Sequence, residues 1–266
     1  PKFVPEEAAQ IQLEGGAAFS VRLIDCVGYM VRGALGQMED DQPRMVTTPW
    51  YDHPIPMTEA AEIGTRKVIT EHSTIGIVIT TDGSIADIPR ASYVPAERRA
   101  ILDMKATGKP FLVVVNSREP GGELAKAVER YIAKEYGLRP YVADCQSLDK
   151  PGIAGLFQAV LAAFPMTELR VFLPRWLDAL EAEHPVKTAL YQSLLQRAGE
   201  INDLGQAEQA LSPLAALELV QDYSLRSVDF GSGVVSCTII LPEALFYEIL
   251  SSRAGIPIQN DAALIN

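Results

Sequence analysis

Asp25 ends the strand-like run of residues 17–25, and Gly28 follows it in the pattern Asp-x-x-Gly. A carboxylate at the C-terminal end of a strand can hold Mg²⁺, usually through a water molecule. A glycine at the fourth position lets its backbone N–H approach a γ-phosphate closely, because no side chain intervenes. The pattern therefore predicts a metal and phosphate site. A solvated aspartate and a turn glycine at the end of a hairpin strand would leave the same pattern.

A second candidate site begins at Asn116, which ends the apolar run 111–115 and opens the tetrad Asn-Ser-Arg-Glu that includes Ser117. G proteins carry Asn-Lys-x-Asp at this place, and the Asp accepts two hydrogen bonds from guanine. Here Glu119 stands in its position, one methylene longer and before Pro120. A strict preference for guanine is therefore in doubt, and the site admits ATP. The alternative is that Asn116 is only a polar residue that ends a strand.

A phosphate-binding loop requires the motif Gly-x4-Gly-Lys-Ser/Thr, and these 266 residues do not contain it. Gly108 and Lys109 precede an apolar strand instead of following one, so we predict an ordinary loop there. We expect the strand, phosphate loop and first helix that would complete such a site to lie before Pro1. The chain begins without a methionine, and we treat it as a fragment.

The elements that must position these residues follow a regular order. A hairpin is predicted from residues 11–14 and 17–25 around Gly15-Gly16, and Thr58 is predicted to cap a helix that reaches about residue 72. Three short apolar runs, each followed by a helical pattern, then predict parallel strands at 75–80, 111–115 and 140–145. The helix after the first run is predicted from about Pro95 to Thr107.

We expect one sheet to contain these three strands and the strand 17–25, with the strand 11–14 at its edge. Asp25 and Asn116 would then lie at C-terminal strand ends on the same side, where open α/β sheets bind ligands. The fold class is α/β, a Ras-like P-loop NTPase sheet without its first strand and P-loop. We place this domain at residues 1–165.

The pattern changes after Pro165 and predicts a smaller α+β domain at residues 166–266. A strand is predicted at 169–173, and residues 224–230 are predicted to pair with 234–241. Helices are predicted elsewhere, at 175–183, at 186–198 and from Pro242 to about residue 252. We find no catalytic arrangement of residues in this part.

Composition excludes several classes of protein. The chain has 34 acidic and 23 basic residues and a net charge of −11, the opposite of the basic surface that binds nucleic acid. Its three cysteines are far apart and match no zinc or disulfide pattern, which favours the cytoplasm. No run approaches the ~18 apolar residues of a membrane span.

Beyond these single motifs, long stretches of the chain resemble the stage IV sporulation protein A family in kind and order. The resemblance covers the whole chain and is densest over residues 1–165. The segments that carry it are 22–29, 43–45, 48–51, 54–56, 59–69, 72–76 and 80–83.

The resemblance implies an ATPase of the TRAFAC class of P-loop NTPases, which uses ATP and Mg²⁺. Asp25 and Gly28 match its Walker B motif, and Asn116 with Ser117 matches the remnant of its base-binding motif. The family's Walker A lysine and sensor threonine would precede Pro1, and its C-terminal region would follow the last residue of the chain. We therefore expect this fragment to hydrolyse nothing by itself.

The resemblance also implies partners and a location. Members of the family self-assemble into a homopolymer, bind a small membrane-bound sporulation peptide and support spore coat proteins. The expected location is the mother-cell cytoplasm, at the outer forespore membrane and in the spore coat. Within the irregular segment 29–56, residues 49–51 are either a self-association patch or local packing that fixes the loop.

Two other functions stay open from the residues. One is a structural scaffold that assembles without nucleotide chemistry, and the other is a regulatory or ribosome-assembly GTPase. The acidic charge and the Asn-Ser-Arg-Glu tetrad count against the GTPase. An intact P-loop motif upstream of this chain would favour the ATPase, and a degenerate one the scaffold.

Overall fold

The computed structural model describes residues 5–12, 18–39 and 42–265. The chain forms two compact units, Pro1–Ala163 and Phe164–Asn266, which are described separately. Over the described ranges, no helix combines the length and the apolar character needed to cross a membrane.

The first unit is an α/β unit. Its elements, in chain order, are β1 (Ala9–Gln12), β2 (Ala18–Val21), β3 (Met38–Glu39), β4 (Gln42–Pro43), β5 (Met45–Val46), β6 (Ile55–Pro56), α1 (Met57–Lys67), a π-helical turn (Val68–His72), β7 (Gly76–Thr81), α2 (Arg90–Thr107), β8 (Phe111–Asn116), α3 (Glu123–Tyr136), β9 (Tyr141–Ala143) and α4 (Lys150–Ala162).

The three predicted parallel strands form one sheet in the order β7-β8-β9, which confirms that part of the prediction. β8 is the central strand, and Leu112 to Val115 are all buried, as expected for a strand covered on both faces. Val113 and Val115 pack with residues of α2 and α3, whereas Leu112 and Val114 pack with Val160 of α4. The sheet is thus the middle of three layers.

The prediction that the strand 17–25 joins this sheet is wrong. β1 and β2 pair antiparallel with each other and form a separate two-stranded sheet. A strand persists only where neighbouring chain satisfies its N–H and C=O groups. Residues 22–28 pair with no strand among the described residues, so β2 ends at Val21. The turn predicted at Gly15-Gly16 lies outside the described residues.

β7 also has a free edge. Within the described part of the chain it pairs with β8 alone, and nothing pairs with its other side. Ile79, near the middle of β7, keeps 65% of its surface exposed. A strand with an apolar side chain and unpaired backbone groups at its edge is suited to pair with a further strand.

Two helices begin elsewhere than predicted. α1 starts at Met57, and Pro56 stands at its N-cap, so Thr58 lies inside the helix and is not the cap. α2 starts at Arg90, five residues before the predicted start at Pro95. Proline is tolerated best in the first turn of a helix, and this preference places the predicted start of α2 too late in the chain.

The second unit is built around a mixed sheet in the order β10-β12-β11. Its elements are β10 (Glu168–Phe172), α5 (Pro185–Gly199), α6 (Ala207–Leu211), β11 (Asp222–Asp229), β12 (Val234–Ile240), α7 (Glu243–Ala254) and α8 (Asp261–Ile265), with 3₁₀ turns at Arg175–Ala179, Leu204–Gln206 and Ser212–Ala216. The predicted hairpin of β11 and β12 is present, and β10 lies parallel to β12.

Candidate functional site

Asn116 is the last residue of β8, at the C-terminal edge of the parallel sheet. Its Oδ1 atom accepts a hydrogen bond of 3.0 Å from the backbone N–H of Cys145, in the loop between β9 and α4. The carboxamide therefore joins the loops that follow two neighbouring strands. Its amino group makes no hydrogen bond within the described residues and remains a donor for a ligand.

Ser117 lies beside it in a buried polar network. The side chain is fully buried, and its hydroxyl donates to Asp82 Oδ2 at 2.6 Å and accepts from the N–H of Glu119 at 3.0 Å. The hydroxyl thus has both a donor and an acceptor role filled by the protein. Asn116 and Ser117 are the two residues predicted to bind the cofactor. In the structure, Ser117 fixes the loop that begins at Asn116.

Asp82 is the centre of this network and follows β7 directly. It is 6% exposed, and its Oδ1 accepts from the N–H and the hydroxyl of Ser84 at 2.9 and 2.5 Å. Burial alone would raise the pKa of this carboxyl. The hydrogen bonds from Ser117 and Ser84 outweigh burial and hold the pKa below its ordinary value. Asp82 is therefore a charged anchor between the ends of β7 and β8.

The remaining residues of the tetrad face solvent. Arg118 and Glu119 are exposed, and the N–H of Arg118 donates to the hydroxyl of Ser84 at 3.0 Å. The carbonyl of Glu119 accepts from the N–H of Gly122 at 2.8 Å, which turns the chain into α3. The guanidinium of Arg118 donates to the carbonyl of Ile85 at 3.5 Å, whereas the carboxylate of Glu119 makes no hydrogen bond or ion pair within the described residues and can meet a ligand at this edge.

Asp25 lies in an irregular segment, four residues after the end of β2, and not at a strand end as predicted. The side chain is exposed and forms no hydrogen bond or ion pair with any other described residue. β2 stops early because no neighbouring strand extends it. An exposed carboxylate without a protein partner keeps all its oxygen lone pairs for a cation and its water shell.

Gly28 adopts a φ of +79°, which favours glycine. Its N–H donates a 3.0 Å hydrogen bond to Oγ1 of Thr65, a buried residue of α1. The backbone after Asp25 is therefore tied to a helix, and the amide predicted to meet a phosphate has a partner within the protein.

Tyr29 ties the same segment to α2. Its hydroxyl donates to the carboxylate of Asp103, and the guanidinium of Arg99 lies 4.7 Å from its ring centroid. Arg99 in turn binds Glu62 of α1 through two hydrogen bonds of 2.6 and 2.9 Å. Burial, and then the bond to Asp103, raise the pKa of Tyr29 well above its ordinary value, so the hydroxyl remains a donor.

Two further positions raised by the sequence have structural partners. The ring of Trp50 packs against Gly64 of α1, where an added Cβ would lie 3.2 Å from Cη2 of the indole. Lys109 donates to the carbonyls of Ile69, Thr70 and Ser73 at 2.7 to 2.8 Å and so caps the π-helical turn. Lys109 lies in a loop before β8, as predicted, and the contacts of its side chain with the π-helical turn were not predicted.

The candidate residues fall into two groups. Asn116 and Ser117 lie at one edge of the sheet, and Asp25 and Gly28 lie in a segment held by α1 and α2. Within the described ranges, no cluster of three or more His, Cys, Asp or Glu side chains is arranged to hold a metal ion. A Mg²⁺ ion bound through waters and phosphates needs only one or two carboxylates. Asp25, which has no partner in the part of the chain that the structure describes, fits that requirement.

Sequence reasoning missed Asp82 and Thr65. A signal for Asp82 was present, because an aspartate directly after an apolar strand and two residues before a serine favours a local side-chain turn. The sequence signal for Thr65 was weaker. It occupies a buried helix face one turn after Ala61, where an apolar residue is usual.

Comparisons with known proteins agree with the resemblance noted from the sequence. The family model described as stage IV sporulation protein A, ATPase domain, matches residues 1–165, and the model of the middle domain of that protein matches residues 166–266. No solved structure was found to match the chain.

Similar proteins named stage IV sporulation protein A occur in three bacteria. The protein of Bacillus anthracis is 37% identical over the whole chain, that of Bacillus subtilis 37% over 97% of it, and that of Clostridioides difficile 36% over the whole chain. The chain covers 53 to 54% of their lengths, so it spans about half of these relatives. The chain belongs to the stage IV sporulation protein A family, with a match to its ATPase and middle domains.

Proposed function

We propose that the full-length protein hydrolyses ATP with Mg²⁺ and uses this reaction to assemble into a scaffold for the spore coat. The observation that carries the proposal is Asn116 at the C-terminal edge of three parallel strands, whose amino group has no hydrogen-bond partner among the described residues. Ligands of open α/β sheets bind at that edge. The match of this unit to an ATPase domain supports the same chemistry.

The residues of the chain have separate roles in this proposal. Asn116 donates from its amino group to an acceptor nitrogen of adenine, while its oxygen holds the loop at Cys145. Ser117 and Asp82 keep that loop rigid. Gly28 donates its N–H to the γ-phosphate. Asp25 holds Mg²⁺ through water, and the bound ion offsets the negative charge that develops on the phosphate oxygens.

The free edge of β7 supports a further strand in the full-length protein. We propose that this strand pairs along Gly76–Thr81, covers Ile79 and leads into the phosphate loop. The loop would then lie between the Asn116 edge and the Asp25 segment. For this reason the 266 residues alone, which lack the P-loop motif, should not hydrolyse ATP.

Assembly and location follow from the family in this proposal. The protein forms a homopolymer on the outer forespore membrane from the mother-cell cytoplasm, bound to a small membrane-bound peptide and covered by coat proteins. Residues 49–51 are the candidate self-association patch. Trp50 and Tyr51 are each 39% exposed although Trp50 also packs on α1, so the patch can serve both roles.

The test replaces Asp25 by Ala in the full-length protein and measures phosphate release and nucleotide-dependent sedimentation. Turnover should fall by orders of magnitude, because the carboxylate that holds the metal ion is lost. Sedimentation should be lost with it. Thermal unfolding should change little, because an exposed side chain without partners contributes little to stability.

Two controls complete this test. Asp52→Ala removes another exposed carboxylate of the long segment and should leave turnover and sedimentation unchanged. Trp50→Ala should hydrolyse ATP but sediment poorly, if residues 49–51 form the patch. A full-length Asp25→Ala protein that hydrolyses and sediments like the wild type would show that Asp25 is not the metal residue. Sedimentation without any ATP turnover in the wild type would instead establish a nucleotide-independent scaffold.

A further inference from the structure

Two hydrogen-bond acceptors compete for the backbone N–H of Gly28. In the structure it donates to Oγ1 of Thr65 at 3.0 Å, and Thr65 is only 4% exposed. In the proposed function the same amide donates to the γ-phosphate. An N–H group makes one strong, well-aligned hydrogen bond at a time, so the two acceptors exclude each other.

The neighbouring residue, Tyr29, helps to hold the Gly28 N–H in its hydrogen bond to Thr65. Tyr29 is bound to Asp103 through its hydroxyl and stacked under Arg99, so the residue after Gly28 is anchored on α2. Gly28 itself is anchored on α1. Two consecutive residues are thus tied to two different helices, and the direction of the Gly28 amide is set by both attachments.

We propose that the hydroxyl of Thr65 competes with the γ-phosphate of ATP for the Gly28 amide, and that Thr65 thereby sets how well the site distinguishes ATP from ADP. This inference rests on the proposed function, because it takes Gly28 as the amide that meets the γ-phosphate. Thr65 is a positioning residue in this role and does not touch the nucleotide.

The competition has a definite sign. A phosphate oxygen is a charged acceptor and forms a stronger hydrogen bond than a hydroxyl, so it displaces Thr65. The gain in affinity is only the difference between the two bonds. ADP has no γ-phosphate and leaves the bond between Gly28 and Thr65 intact. Removing the hydroxyl therefore strengthens the binding of ATP and leaves that of ADP unchanged.

The test uses the full-length protein with Thr65→Val, which keeps the shape of the side chain and removes its oxygen. Calorimetry measures the affinities for ADP and for a non-hydrolysable ATP analogue, each with Mg²⁺. The ratio of the two affinities should rise about fivefold in favour of the analogue, the size of one net hydrogen bond. Thr65→Ser keeps the hydroxyl and should give a ratio within about twofold of the wild type.

A ratio that falls or stays constant in Thr65→Val would overturn the competition and leave Thr65 as a packing residue. If Thr65→Val does not fold, Tyr29→Phe decides, because it keeps the ring under Arg99 and removes the bond to Asp103. Loosening this second attachment should raise the same ratio by a smaller factor, and an unchanged ratio overturns the inference.

The two proposals fail in different ways. A wild-type protein that binds neither nucleotide, or an Asp25→Ala protein with normal ATP turnover, contradicts the proposed function. A wild-type protein that binds both nucleotides and loses turnover in Asp25→Ala, while Thr65→Val keeps the wild-type ratio, contradicts the competition alone.

Discussion

The loop that follows β8 and the segment that follows β2 differ in how they are held. The first is anchored by Asp82 and Ser117, which are 6% and 0% exposed and bonded to each other at 2.6 Å. The second is anchored by one hydrogen bond from each of two consecutive residues, from Gly28 to α1 and from Tyr29 to α2. The loop after β8 is thus held by a buried network, whereas a few separate contacts hold the segment after β2.

The difference matches the tasks in the proposed function. A base is the same in ATP and ADP, so its site gains from a fixed geometry. A segment that responds to the γ-phosphate must be able to exchange partners, which requires weaker attachments. The same comparison predicts a large loss of stability in the loop after β8 and smaller losses in the segment after β2.

The largest loss is expected for Asp82→Ala in the 266-residue chain. It leaves the buried hydroxyl of Ser117 and the N–H of Ser84 without their acceptor, and the free energy of unfolding should fall by about 3 kcal/mol. Urea unfolding of the first unit can be followed through Trp50, with Trp176→Phe as background. Asp87→Ala, an exposed aspartate of the same loop, is the control and should change stability by less than about 0.5 kcal/mol.

The pH dependence of stability provides a second check on Asp82. Its pKa in the folded protein lies below the ordinary value of 3.8, so its charge stabilises the fold above that pH. This contribution is lost as the pH falls through the folded pKa. The stability difference between wild type and Asp82→Asn should therefore shrink as the pH is lowered from about 5 towards 2. A constant difference would mean that the charge of Asp82 has no role.

A smaller effect is expected at Asn116, where two variants separate structure from binding. Asn116→Ala removes the acceptor for the Cys145 N–H and should cost about 1 kcal/mol of stability. Asn116→Asp keeps that acceptor and should cost less than about 0.5 kcal/mol. Both lack the amino group, so in the full-length protein both should bind ATP about tenfold more weakly. Wild-type affinity in Asn116→Asp would show that the amino group does not meet the base.

The sequence predicts the edge of the sheet better than the segment after β2, for physical reasons. The three parallel strands are continuous apolar runs, and a strand buried on both faces leaves that local signal. The pairing of β2 is not local, since it depends on which chain lies beside the strand. The hydrophobic pattern extended the strand to Asp25, whereas hydrogen bonding ends it at Val21.

The contacts that hold the candidate residues were beyond the sequence for a related reason. Ser117 meets Asp82 across 35 positions, and Gly28 meets Thr65 across 37. Each of these residues has an ordinary local explanation, such as a turn or a helix face. Their shared role arises only when the fold brings distant polar groups together in a buried place, where an unpaired group would be costly.

The smallest effect is expected for Arg99→Lys, which tests how loosely the segment is attached. Lysine keeps the charge but loses the paired bonds to Glu62 and the stacking on Tyr29. Arg99 and Glu62 are about 40% exposed, so solvent weakens their ion pair, and the loss should be about 0.7 kcal/mol. Arg98→Lys, on the exposed side of the same helix, should change stability by less than about 0.3 kcal/mol.

The measurement is urea unfolding of the Arg99→Lys protein followed through Trp50, at low and high salt. The ion-pair part of the loss should diminish with salt, while the stacking part stays, because screening acts on exposed charges. If Arg99→Lys costs as much as Asp82→Ala, the segment after β2 is held as firmly as the edge of the sheet, and the contrast between the two regions does not exist.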